Sequence, residues 1–170
     1  MRNLAAFTTA GYDRGRPLSW QLLWVVTSRI VFQAWWLPAR LRPAILRRFG
    51  ANIGEGVLIR ERVRIHWPWK LSIGAHSWIG EGAWLLNLEP ITIGHDVCIS
   101  QEALLCTGSH KRYDPAFGYD NGPIVIEDGA WVAARAIVLR GVVVGAEAVI
   151  PAGATVSTSV PSNALAGSLR

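Results

Sequence analysis

The sequence predicts an all-β fold: a parallel β-helix of about five coils with an extruded loop, preceded by an N-terminal helical segment. Three observations carry this expectation. Aliphatic residues recur every six positions from Ile53 to Val156. Between Ile93 and Ile126 the series is interrupted by an excess of 15 residues over one coil. Before Ile53 the pattern differs: a Trp- and Arg-rich stretch with no six-residue period. The expected organisation is residues 1–50 as the helical segment and 51–170 as the β-helix, with its loop at 108–123.

Residues 18–37, LSWQLLWVVTSRIVFQAWWL, carry one charge, Arg29. That is about the length that can span a bilayer. Pro38 ends the expected helix, since proline lacks the donor and clashes with the preceding turn. A second helix is expected over Arg40–Phe49, capped by Gly50. Three readings stand for 18–37. Tryptophans toward both ends and flanking arginines suit a helix lying in the interface of an anionic membrane. The same residues suit a helix packed on protein. A true span must accommodate Gln21, Ser28, Arg29 and Gln33, which fall on one side at helical period and are costly in lipid.

The six-residue period belongs neither to a helix nor to a simple alternating strand. It fits a solenoid whose coil is a three-sided prism, one short strand per side. The aliphatic residue points inward, and stacking buries a column that no single coil could bury alone. A small residue often follows it, as at Gly54, Gly74, Gly80, Gly94, Ala133 and Gly145. Tight corners free of side-chain strain are the expected reason. Ile53, Ile73 and Ile93 are 20 residues apart, so the early coils carry two extra residues at a corner, whereas Ile126 and Val144 are 18 apart. Stacked at strand spacing, five coils stand about 24 Å tall. A long excursion in a compact repeat is the place to look for function.

Composition narrows the chemistry. Residues 1–64 hold eleven arginines against Asp13, Glu55 and Glu61, a balance of +8, while residues 65–170 balance at −3. The excess predicts an anionic partner for the N-terminal third. No nucleic-acid motif organises it, so no nucleic acid is expected. Cys98 and Cys106 form no CxxC and read as free thiols in a reducing compartment, Cys106 as a core thiol. The four histidines show no zinc-binding spacing, so no metal is expected. No signal peptide is visible, and the expected setting is cytoplasmic, with peripheral contact at the inner face of the membrane.

The hexads, with a loop extruded after LLCTGSH, resemble the hexapeptide-repeat acetyltransferases. Within that family, QLLW, FGANIG, WPWKLSIG, WIG, ITIG and LCTGSH resemble the colanic-acid biosynthesis acetyltransferases of bacterial exopolysaccharide pathways. The resemblance covers nearly everything from residue 50 onward. It implies a left-handed helix, against the usual crossover hand. It implies transfer of an acetyl group from acetyl-CoA to a hydroxyl, here on a saccharide acceptor. It also implies a homotrimer that binds CoA between neighbouring subunits.

Residue by residue, the resemblance makes His110 the general base. Neutral imidazole suits removal of a hydroxyl proton near pH 7. The later coils then bind CoA through Trp131, Ala133, Ala134, Ala152, Ser157 and Thr158. Small residues there let the pantetheine arm lie against the backbone. Three positions depart from the pattern. Thr158 stands where many relatives carry a lysine toward a CoA phosphate. The asparagine that some sugar acetyltransferases place beside the histidine has no clean match, and Asn87 is the substitute. After Ala166-Gly167 the chain reads Ser168-Leu169-Arg170 instead of continuing with Asn-Pro. Asp114 and Glu102 are candidates to orient His110, with ordinary solvated carboxylates as the plainer reading. An amine acceptor, a non-catalytic scaffold and a γ-type carbonic anhydrase using His76, His95 and His110 are the alternatives. The last lacks the family's histidine spacing.

Overall fold

A computed structural model describes residues 3–9 and 11–166; the Ser168-Leu169-Arg170 departure lies outside the described residues. Among the described residues fifteen short strands form five coils. The first coil holds β1 (Asn52–Ile53), β2 (Leu58–Ile59) and β3 (Arg64–Ile65). The second holds β4 (Leu71–Ile73), β5 (Trp78–Ile79) and β6 (Trp84–Leu86), and the third β7 (Ile91–Ile93), β8 (Cys98–Ile99) and β9 (Leu104–Cys106). The fourth holds β10 (Ile124–Ile126), β11 (Trp131–Val132) and β12 (Ile137–Leu139), and the fifth β13 (Val143–Val144), β14 (Val149–Ile150) and β15 (Thr155–Val156).

Each strand pairs in parallel with its counterpart one coil away, which makes three five-stranded faces. The register is the hexad series itself: Ile53 faces Ile73, Ile73 faces Ile93, Ile93 faces Ile126 and Ile126 faces Val144. These residues are buried and join one continuous hydrophobic core that also contains Trp24, Phe32, Leu46 and Phe49 of the N-terminal segment. The N-terminal segment thus closes the open end of the prism, as a terminal cap must. The excess residues leave after β9 and return at β10, where the break in the period places them.

The corner glycines have a different cause from the one expected. At Gly74 a Cβ would lie 2.4 Å from the carbonyl carbon of Gly94, and at Gly94 2.8 Å from the backbone nitrogen of Asp128. Successive coils approach too closely for a side chain. The left-handed backbone the corners require falls elsewhere, on His76, Asp96, Glu102 and Arg135 among others and on a separate set of glycines, Gly56, Gly82, Gly129, Gly141 and Gly153. Gly54, Gly74, Gly80, Gly94 and Gly145, which follow the inward aliphatic residues, supply room and not conformational freedom.

The N-terminal helix is shorter than predicted. Helix α1 spans Leu18–Thr27, a wide π turn covers Ser28–Phe32, and the chain turns before reaching Pro38. A 3-10 turn (Ala39–Leu41) leads into α2 (Arg42–Arg48). Gly50, at φ 92°, ends α2 as expected. Its N–H donates to the Arg47 carbonyl and that of Ala51 to the Leu46 carbonyl, the paired bonds of a left-handed helix cap.

Half of the polar stripe faces inward, while Arg29 is exposed and Gln33 half-buried. Gln21 and Ser28 are buried, and Gln21 donates to the Arg16 carbonyl at 2.6 Å. The Trp24 indole donates to the carbonyls of Ile65 and His66, which fixes the helix on the first coil. No helix among the described residues is long and apolar enough to cross a membrane. Two arginines of the positive excess are committed to the fold. Arg42 is fully buried, and the Arg47 guanidinium donates to the carbonyls of Ile53 and Gly54.

Candidate active site

The loop between β9 and β10 is an ordered hairpin. Thr107, buried at its root, donates to the Leu86 carbonyl at 2.9 Å and accepts from the Glu89 N–H. His110 pairs antiparallel with Tyr119, and Lys111 N–H donates to the Gly118 carbonyl. At the tip, Asp114 accepts from the N–H groups of Ala116 and Gly118. An ion pair between Asp120 and Arg140 ties the returning arm to the fourth coil.

This hairpin sets the His110 ring. Nδ1 lies 2.7 Å from the carbonyl oxygen of Phe117. A carbonyl only accepts, so Nδ1 carries a proton, and of the two neutral tautomers the contact selects the one in which Nε2 bears none. Phe117 stacks on the ring at 4.3 Å with planes 6° apart, and Tyr119 stacks at 5.3 Å. Phe7, from the N-terminal segment, meets it edge-on at 5.5 Å. The imidazole is half-buried, with its tautomer and plane both held. Tyr12 extends the aromatic group. It packs on Tyr119 and accepts from the Trp67 indole at 2.6 Å, and burial raises its hydroxyl pKa.

Neither carboxylate considered as an orienter touches His110. Asp114 is occupied by loop amides, and Glu102 pairs with Arg135 at another corner, which lowers its pKa. Asn87 is fully buried one coil below the loop. Its oxygen accepts from the N–H groups of His66 and Trp67, and its nitrogen donates to the Trp67 carbonyl. The carboxamide clasps that corner with its bonds already made. Cys106 lies half-buried on the outer side of β9, contrary to the core position expected of it. Strand alternation points Leu105 inward and Cys106 out.

The other histidines serve local ends. His95 is exposed and bridges Asp96 and Asp128 at 2.9 Å each. His66 is held neutral, its pKa lowered to about 4 by burial and then by Arg14 and Lys70. Among the described residues no group of three or more His, Cys, Asp or Glu side chains could hold a metal ion.

The residues assigned to CoA fall at two places. Trp131 is exposed on the second face, its indole donating to Ser100. Ala133, Ala134 and Ala152 follow around the corner between the second and third faces, in successive coils. Ala134 and Ala152 line a cleft of about 510 Å³ with Arg62, Glu81, Gly82, Gln101, Glu102, Arg135 and Gly153. Ser157 and Thr158 are exposed beyond β15, at the corner from which the His110 hairpin leaves two coils earlier. The alanine cleft and His110 therefore flank opposite edges of the third face within one chain.

Sequence reasoning missed the Phe117 carbonyl, Phe7, Tyr12 and Tyr119. No spacing announces a backbone acceptor or a contact between residue 7 and residue 110. The aromatic run in YDPAFGY was the one available sign.

The family description "hexapeptide repeat of succinyl-transferase" matches residues 123–158. The chain is 38% identical over 164 residues to the colanic acid biosynthesis acetyltransferase WcaF of Escherichia coli K12, covering 96% of this chain and 90% of the relative. A hexapeptide-repeat-containing acetyltransferase from Vibrio cholerae matches in structure with a TM-score of 0.76 at 26% identity, over 85% of this chain and 82% of that one. Galactoside acetyltransferase, solved in complex with coenzyme A, shares the fold with a TM-score of 0.76 at 20% identity, over 85% of this chain and 74% of that one.

Proposed function

The chain belongs to the hexapeptide-repeat acetyltransferases, and from that membership we propose that it moves an acetyl group from acetyl-CoA to a hydroxyl of a saccharide, with His110 as general base. The observation that carries this is the Nδ1–Phe117 carbonyl bond at 2.7 Å, which leaves Nε2 free to accept a proton. As the acceptor oxygen bonds to the acyl carbon, Nε2 takes its proton. The carbon–sulfur bond then breaks, and the imidazolium returns the proton to the departing thiolate. Atoms and charge balance without a covalent enzyme intermediate. The relationship to WcaF supports a surface-polysaccharide acceptor over a free amine.

Acetyl-CoA fits the corner at Ala133, Ala134 and Ala152. A cleft with no side chain beyond Cβ at Ala134, Ala152 and Gly153 lets a flexible arm reach backbone amides, and the Arg62 and Arg135 guanidiniums beside it are each paired with a carboxylate, Glu81 and Glu102. Trp131 offers a flat apolar surface on the adjoining face, and Ser157 and Thr158, which lie at the hairpin corner, would bring hydroxyls in place of a lysine from the neighbouring subunit. When bound, acetyl-CoA supplies the activated acyl group. The Vibrio cholerae relative has been solved in complex with acetyl coenzyme A. A thermal-shift titration tests the fit, since saturating acetyl-CoA at 100 times its dissociation constant stabilises by about 2.7 kcal/mol. No shift overturns it.

The two half-sites face different ways on one prism, so we place the reaction between neighbouring subunits of a homotrimer. Light scattering should report three chains; a monomer with full activity contradicts this. Mixing His110→Ala chains with Ala134→Trp chains should restore roughly a quarter of wild-type activity, because random closed trimers bring an intact half-site from each parent together. No recovery, with both variants melting as the wild type does, places each site within one chain. The proposed location is cytoplasmic, with peripheral contact at the inner face of the membrane.

A further inference from the structure

Helix α1 is turned inside out for a soluble helix. Gln21, Trp24 and Ser28 are buried, whereas Leu22, Val26 and Ile30 are exposed by 56%, 54% and 65%. Trp35, at 82%, and Trp36 extend this apolar face past the π turn. Contiguous exposed apolar surface of this kind marks an interaction site.

A cavity of about 360 Å³ opens at the foot of the face, between α1 and the first two coils. Arg29 and Arg64 line it with Val25, Ser28, Gln33 and Trp84, and no carboxylate is among its lining residues. The Arg64 guanidinium lies 4.2 Å over the Trp84 ring, which leaves its N–H edge free to donate. Neither arginine forms an ion pair among the described residues. His66, also in the lining, is neutral at physiological pH, so the positive charge is that of the two arginines.

We propose that the outward face of α1 and the turn after it lies in the headgroup layer of an anionic bilayer, with a lipid phosphate held between Arg29 and Arg64. This deepens the peripheral-contact reading and makes no use of His110. Apolar side chains would enter the interface, Trp35 and Trp36 would sit at headgroup level, and the arginines would meet phosphate. A second copy fits less well. A two-fold contact sets the same patch against itself, which brings two copies of Arg29 and Arg64 into one interface with no carboxylate in the cavity to pair them.

The test is sedimentation of the full chain with vesicles of phosphatidylcholine alone and of phosphatidylcholine mixed with phosphatidylglycerol. The wild type should pellet with the mixed vesicles and far less with the neutral ones. Exchanging Leu22, Val26 and Ile30 together for serine should abolish pelleting with both. The change is confined to exposed positions and should leave acetyl-CoA turnover on a soluble acceptor intact. Arg29→Gln with Arg64→Gln should weaken binding to the mixed vesicles by roughly 30-fold. Millimolar glycerol phosphate should not release the wild type.

Equal binding to both vesicle types, or release by glycerol phosphate, overturns the lipid-phosphate site alone. No pelleting of the wild type overturns the peripheral-contact reading as well. A six-chain particle that becomes three chains in the serine variant assigns the face to a second copy and overturns the proposal. None of these outcomes bears on His110 chemistry, which thiol release reads separately.

Discussion

His110→Ala is expected to lower turnover by roughly 10²–10⁴-fold, the usual worth of a positioned base. A saccharide hydroxyl attacks a thioester poorly until its proton has somewhere to go. The hairpin provides that place, with Nδ1 committed to the Phe117 carbonyl and the ring clamped by Phe117, Tyr119 and Phe7. Acetyl-CoA affinity should change little, because the imidazole serves the hydroxyl. Removing a ring from an aromatic stack could also loosen the loop. His110→Gln therefore accompanies the alanine variant: it keeps a polar side chain of similar reach and should be as inactive. His76 and His95, exposed at the opposite corner, are the controls, and His76→Ala and His95→Ala should retain most of the rate. The readout is release of free CoA thiol, with melting temperatures measured in parallel. Near-normal turnover in both His110 variants removes the base from the mechanism.

Arg42→Met is expected to destabilise the protein by roughly 2–5 kcal/mol, the scale for leaving buried carbonyls without their charged donor. Arg42 is 1% exposed. Its guanidinium donates to the carbonyls of Phe32 at 3.0 Å, Ala34 at 2.7 Å and Ile59 at 3.4 Å. It is the clasp between the end of the π turn, the connection to α2 and strand β2. Methionine fills similar space but takes the donor from the Phe32 and Ile59 carbonyls, while that of Ala34 keeps the Leu37 N–H, and each unsatisfied group costs about 1–3 kcal/mol. Arg42→Lys should rescue little, since one ammonium cannot reproduce the planar fork. Urea denaturation at fixed chain concentration measures the change. A loss under about 1 kcal/mol would show that water or a shift of the turn replaces the clasp.

Arg42 also shows where sequence reading stops. In the sequence it is one arginine of a basic excess, and only tertiary packing brings three carbonyls to it. The coils, by contrast, were legible to the residue. A six-position period has one physical solution, and the observed partners Ile53–Ile73–Ile93–Ile126–Val144 repeat that series. The glycines were read at the right places for a different reason, because chain-to-chain clearance is invisible until coils are stacked. Helix α1 was legible as a helix with a polar stripe but not in its orientation. Period alone says which residues share a face; the bond from Trp24 to the Ile65 carbonyl decides which face turns inward. His110 and its loop stood out in the sequence, whereas the groups that hold the ring did not. A carbonyl acceptor has no sequence signature, and Phe7 arrives from the far end of the chain.

The most direct measurement is the chemical nature of the product. The purified chain is incubated with acetyl-CoA and a panel of neutral saccharides and amino sugars. Thiol release and the mass of each acceptor are then recorded before and after mild base. O-acetyl transfer predicts that a neutral saccharide gains one acetyl group in step with thiol release, and loses it in base as an ester must. Thiol release with no neutral saccharide, and a base-stable acetyl group on an amino sugar, would contradict it.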